Sequence, residues 1–174
     1  WPVAEQLLGA LADGENPGRR NAAVEALVRI GRRMVEALLA ASDSPDVDVR
    51  KLVVDALAGI GSERATPRLA ALLHDEDANV RGAAADALAA IGGAAAQRAL
   101  TATALCDREE ALVRFAALRG LARLEAPLTA SDLASALADP LLRPVAFAAL
   151  GRAADPEGLE VLLKGLEAGS RGTP

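Results

Sequence analysis

Apolar positions recur along the chain with the period of a helix. After Arg50, Val53, Leu57 and Ile60 fall at steps of four and three and form one stripe, widened by Val54 and Ala56. Lys51 and Asp55 lie four apart on the opposite, polar face. After Arg81 the pattern returns, with Ala84, Leu88 and Ile91 on the apolar side and Gly82 and Asp86 on the exposed side. No period-two alternation and no Asn-Gly hairpin signal occurs, so the reading is all α.

The stripes belong to a repeat. An acid, two variable residues, an apolar residue and an arginine precede an alanine-rich helix that ends in Ile-Gly. The clearest copies run Asp46-Val47-Asp48-Val49-Arg50 to Ile60-Gly61 and Asp77-Ala78-Asn79-Val80-Arg81 to Ile91-Gly92. An earlier copy starts at Asn16, a later one at Glu110, and a degenerate one at Asp139. The arginines fall at 20, 50, 81, 114 and 143, in steps of 30, 31, 33 and 29, and each is followed seven residues later by leucine. Alanine-rich composition alone would not hold arginine in such a phase.

Motif helices are expected over residues 17–30, 47–60, 78–91, 111–124 and 141–152, with partner helices over 3–12, 33–41, 65–74, 94–105, 131–138 and 156–167. That makes about eleven helices, or five antiparallel pairs and one more, joined by short turns. A helix with so broad an apolar stripe cannot bury it against one neighbour; stacking successive pairs makes a continuous core. Asp46, Asp77 and Asp139 are expected to cap the following helices. Glu110 is a poorer cap that still suits the positive helix end. The repeated arginine is expected to bridge to its own repeat's acid or to a neighbouring repeat's acid. Gly31, Gly61 and Gly92 fit left-handed positions that stop a helix. Pro17, Pro67 and Pro156 fit first helical turns.

These motifs, and Asp77 through Gly92 above all, resemble HEAT repeats of the short bacterial kind found in phycobilin lyase subunits. The resemblance covers nearly the whole chain, most closely between Asp46 and Gly92. It implies a right-handed α-solenoid whose second helices line a concave face. It implies fold strongly and activity hardly at all, because the family's repeat residues are structural. Phe147-Ala148-Ala149-Leu150-Gly151, where the glycine comes early, departs from the pattern and blurs the boundary of the last pair.

Composition then removes functions. Only Trp1, Phe115 and Phe147 are aromatic, which argues against a base-stacking or proline-reading platform. Nineteen basic and 24 acidic residues give a net charge of −5, which disfavours nucleic acid. One cysteine and one histidine exclude an internal disulfide, a thiolate metal cage and a multi-histidine site, and no cofactor is expected. No run approaches the roughly 18 to 20 strongly apolar residues of a membrane span. The scarcity of cysteine makes the cytoplasm the default expectation. The whole chain, 1–174, reads as one repeat domain and as a segment of a longer polypeptide. Trp1 either covers the first helix pair or is bared at the end.

Chemistry is thin. His74 precedes Asp75, Glu76 and Asp77 in a turn, where capping explains the acids. Cys106 has no histidine base nearby in sequence and reads as a partly buried structural thiol. Gly59-Ile60-Gly61-Ser62 follows a helix rather than a strand and lacks the lysine of a phosphate loop. Surface recognition remains. Positions one and five after each repeat arginine are expected to face outward: Asn21 and Glu25, Lys51 and Asp55, Gly82 and Asp86, Phe115 and Arg119, Pro144 and Ala148. Glu25, Asp55 and Asp86 form an acidic row, about 10 Å from repeat to repeat, suited to a protein partner with a basic helix or tail. Phe115 beside Arg119 is a candidate contact anchor, against the alternative that Phe115 turns into the core. Phe147 is expected to pack inside. The main expectation is a non-enzymatic protein-protein interaction scaffold that uses the concave face of a HEAT-like solenoid. The alternative is a subunit or domain of an enzyme resembling a phycobilin lyase.

Overall fold

A computed structural model describes residues 2–153, 158–161 and 163–164. In chain order they form α1 (Pro2–Leu11), α2 (Pro17–Ile30), the 3-10 turn η1 (Gly31–Met34), α3 (Val35–Ala41), α4 (Val47–Ile60), the 3-10 turn η2 (Glu63–Ala65), α5 (Thr66–Leu72), α6 (Ala78–Ile91), α7 (Gly93–Ala104), α8 (Ala111–Arg123), α9 (Ala134–Ala138) and α10 (Arg143–Ala153). Residues 158–161 and 163–164 are also helical, while Trp1 and Pro156 lie outside the described residues. Among the described residues there is no strand, and no helix is long and apolar enough to cross a membrane. The protein is an all-α stack of repeated helix pairs.

The chain divides into two compact units between Ala96 and Gln97, within α7. In the first unit α1 packs on α2, α3 on α4 and α5 on α6, and the second helices form their own layer as α2 meets α4 and α4 meets α6. In the second unit α10 packs on α8 and α9. The core is built from small and medium side chains: Val53, Val54, Ala56 and Leu57 of α4, Ala84, Ala85, Ala87 and Leu88 of α6, and Ala117, Leu118 and Leu121 of α8 are all buried. Close helix approach makes such a core dense. At the α2–α4 contact a Cβ on Gly59 would come within 2.7 Å of Val28 Cγ2, so glycine sets that spacing.

Three motif helices, α2, α4 and α6, have the expected bounds, because their caps work. Asn16 Oδ1 accepts from the Arg19 amide at 2.9 Å. Asp46 Oδ1 accepts from the amides of Asp48 and Val49 at 2.8 and 3.4 Å, and Asp77 Oδ1 from those of Asn79 and Val80 at 2.8 and 3.2 Å. Asp139 does the same for Leu141 and Leu142. Glu110 makes no such bond with its side chain. The proline of Thr66-Pro67 stands in the first turn of α5.

Four local expectations need correction. The partner helices expected from Arg33 and Ala65 each follow a 3-10 turn, η1 and η2, and α5 stops at Leu72. Gly61 is left-handed (φ 65°, ψ 31°), whereas Gly31 and Gly92 pair positive φ with extended ψ of −140° and −161°. At these two glycines the chain passes directly into η1 and, after Gly92 alone, into α7. α9 begins at Ala134, not Ser131: residues 130–133 form a turn in which the Ala134 amide donates to the Ser131 carbonyl, three residues back, at 3.3 Å. Thr129 and Asp132 clasp that turn: Thr129 N–H and Oγ1 donate to Asp132 Oδ2 at 2.9 and 2.8 Å, and the Asp132 amide donates back to Oγ1. These bonds hold the Asp132 carboxyl below its usual range. α10 begins at Arg143, not Leu141, since Pro144 has no N–H for the first ladder bond.

The fourth motif helix hides one irregularity. Eleven residues after the repeat arginine, where Gly31, Gly61 and Gly92 stand, this repeat has Glu125, with φ +52°. The Ala126 amide donates to the Leu121 carbonyl at 3.0 Å, completing a helix stop around a non-glycine residue. Left-handed backbone costs an L-residue about 1 kcal/mol. Glu125→Gly is therefore expected to raise unfolding stability by about 0.5 to 1 kcal/mol, read from the urea midpoint at constant m-value; a lower midpoint would contradict the assignment.

Candidate protein-binding site

The repeat arginines come first, because they fix the helices that carry the surface. Arg50 is buried. Its Nη1 donates to the carbonyls of Ser44 and Pro45 at 3.0 and 3.3 Å, in the turn before its own helix. Its Nε and Nη2 reach forward to Asp75 at 2.8 and 2.9 Å, and Nη2 also meets Glu76 at 3.1 Å. Asp75 and Glu76 occupy the α5–α6 turn, so the partner is the next repeat's acid and not Asp46. The Asp75 hydrogen bond leads in pushing the Arg50 pKa up against the opposing effect of burial. Burial likewise opposes ionisation of Asp75, but the bonds from Arg50 and the Asp77 amide, with the charges of Arg50 and Arg81, outweigh it and hold the carboxyl below its usual range.

The other copies share half of this arrangement. Arg81 Nη1 donates to the carbonyls of Asp75 and Glu76, and Arg143 to those of Leu137 and Ala138. Arg114 donates to the Ala104 carbonyl and Ser135 Oγ and pairs with Asp107 at 3.2 Å. Arg20 reaches forward to Asp48 of the next repeat at 3.0 Å. Sequence spacing signalled the carboxylate bridges but not the carbonyl bonds, which lie five and six residues before the arginine in three of the five copies. A second cross-repeat link, Arg68 to Ser42 and Asp43, carries no repeat signature at all.

On this frame the candidate surface positions range from half-buried to exposed. None of Asn21, Glu25, Lys51, Asp55, Gly82, Asp86, Phe115, Arg119, Pro144 and Ala148 is buried. Glu25, Asp55 and Asp86 lie on the packed layer α2–α4–α6. Two of these acids have counterions on their own helix: Lys51 meets Asp55 at 2.9 Å, and Arg29 meets Glu25 at 4.0 Å. In the other unit Phe115 is half-buried, and the Arg119 guanidinium stands 5.8 Å from its ring centre. Phe147 is half-buried rather than inside.

The chemical candidates stay apart. His74 is exposed. Cys106 is exposed too, correcting the expected partial burial: it lies past the end of α7, in the turn before α8, as His74 lies in the turn before α6. Among the described residues no three His, Cys, Asp or Glu side chains gather as a metal site would require. Depressions exist beside the helix-ending loops. One of about 510 Å³ is lined by Glu63, Thr66, Pro67 and Ala70 with Gly92 to Ala95, and one of about 490 Å³ by Arg32 and Gly61 to Arg64.

Residues 35–122 match the HEAT repeats family. No curated protein matches the chain. Among solved structures, the complex of CpcE and CpcF of phycocyanin lyase from Nostoc sp. PCC7120 is similar, with TM-score 0.71 and 25% identity over 85% of this chain and 98% of that one. An engineered protein is similar in fold, with TM-score 0.58 and 22% identity over 92% of this chain and 84% of that one.

The buried pair sets a pH dependence. The Asp75 carboxyl is lowered on folding, so its contribution is present above the ordinary value of 3.8 and is lost as pH falls through the lower folded value. Asp75→Asn is expected to cost about 1 to 3 kcal/mol at pH 7, and the gap to the parent should close below the ordinary carboxylate range. Urea midpoints taken from neutral pH downward check this; a gap that does not change with pH would contradict it.

Proposed function

We propose a protein-binding role for this chain, which belongs to the HEAT repeats family: a non-enzymatic scaffold that receives its partner on the outer face of its second helices. One observation carries the reading. Positions one and five after the repeat arginine stay at the surface in all five motif helices, while positions three and seven are buried in every one. A repeated frame with a variable outer face suits recognition, because outer residues can change without disturbing the core.

On α2, α4 and α6 that face presents Glu25, Asp55 and Asp86. Their pairs with Arg29 and Lys51 are solvent-exposed and worth only about 0.3 to 0.5 kcal/mol each. A basic helix or tail of a partner can therefore take the place of those counterions. The cytoplasm, as a reducing compartment, suits the exposed thiol of Cys106.

A second reading is favoured by the likeness to the phycocyanin lyase complex, which spans 98% of the matched chain. In it, this chain is one subunit of a two-subunit enzyme. The depression beside Thr66 and Gly92, with Glu63 and Thr66 as its polar groups, is where that reading would place a ligand.

Replacing Glu25, Asp55 and Asp86 together by their amides is expected to weaken partner retention about tenfold or more while helicity by circular dichroism is kept. Quantitative pull-down against a lysine-rich helical peptide checks it. Unchanged retention would remove the acidic row, and a change in bilin absorbance on mixing would favour the enzyme reading.

A further inference from the structure

The outer face of the motif helices changes character along the chain. A third outward position lies two residues before each repeat arginine. In the first three copies it holds Gly18, Asp48 and Asn79; in the last two it holds Leu112 and Leu141. These leucines are 70% and 49% exposed. Positions minus two, plus one and plus five follow a helical spacing of three and four and so share one face. In α8 that face reads Leu112, Phe115, Arg119. Along α10 and the turn leading into it, the face reads Leu141, Pro144, Ala148, all exposed. The same three positions are Asp48, Lys51 and Asp55 on α4. α8 packs on α10, so the two apolar edges belong to neighbouring helices whose axes are about 10 Å apart, a helix-packing distance.

Charge gives this surface a direction. At its N-terminal end stand Asp107 and Glu110, and at its C-terminal end Arg119 and Arg123, all exposed. Arg119 is aligned over the Phe115 ring, which links the basic end to the apolar strip. A leucine edge with a basic end complements an amphipathic helix whose apolar stripe ends in carboxylates.

Resting on the protein-binding reading above, we propose that the α8–α10 face is a docking surface for an amphipathic α-helix of another protein, with leucine-type anchors on Leu112, Phe115 and Leu141 and acidic residues against Arg119 and Arg123. This is a separate surface from the acidic row, and it selects the opposite charge.

The test uses the full chain and fluorescent, stapled helical peptides carrying leucines at i, i+3 and i+7. One peptide ends in two glutamates and its twin in two lysines; fluorescence anisotropy reads binding. The glutamate peptide should bind at least about tenfold tighter. Leu112→Ser with Leu141→Ser should abolish most of that binding, and Arg119→Glu with Arg123→Glu should reverse the preference. All four positions are exposed, so helicity is expected to survive, and circular dichroism confirms it. Equal binding of both peptides, binding of neither, or indifference to the leucine substitutions would overturn the proposal. So would a chain that self-associates until the leucines are replaced, since the occupant is then a second copy. If neither helix with leucine anchors binds while the acidic row still retains its lysine-rich peptide, the docking surface falls and the protein-binding reading stands.

Discussion

One guanidinium holds two repeats in phase. Arg50 spends its donors in two directions, backward on the carbonyls of Ser44 and Pro45 and forward on the carboxylates of Asp75 and Glu76. The backward bonds satisfy carbonyls of the turn between α3 and α4. The forward bonds tie the α3–α4 turn to the α5–α6 turn. Arginine suits this place because its planar fork serves several acceptors at once, which a lysine ammonium cannot match with the same geometry. The pair is nearly desolvated, with side chains 8% and 7% exposed, so losing either partner strands a buried charge.

That constraint allows the core to be light. With the turns aligned by polar contacts, helices can meet through alanine, valine and glycine, as α4 meets α2 at Gly59 and Val28. The paucity of aromatic residues follows: closely spaced helices leave little room for large rings. It also leaves the outer face free to vary. On α4 the outer positions are Asp48, Lys51 and Asp55; on α8 they are Leu112, Phe115 and Arg119.

Much of this was legible in the sequence. The phase of arginine, leucine and glycine gave α2, α4 and α6 to the residue, because strong local signals coincide there: an asparagine or aspartate cap, an apolar stripe and a glycine stop. Where one signal failed, the reading failed. Pro144 removed a ladder bond and delayed α10. Ahead of α9, residues 130–133 make a turn clasped by Thr129 and Asp132. Glu125 stands in a glycine's place, visible only once the repeat is aligned on Arg114. The outward positions of the candidate site were readable because they are fixed by helical period. The exposed leucines at 112 and 141 were not, since an apolar residue in a motif's first turn looks like core until its burial is known. The carbonyl bonds of the arginines were also hidden, because backbone acceptors leave no mark in side-chain identity.

The account turns on Arg50 and Asp75 coupling neighbouring repeats rather than merely lying close. A double-mutant cycle with Arg50→Ala and Asp75→Ala, read as unfolding free energy at neutral pH, measures that coupling directly. A coupling energy of about 1.5 to 3 kcal/mol is expected for a desolvated, hydrogen-bonded pair; additive single effects would contradict the account.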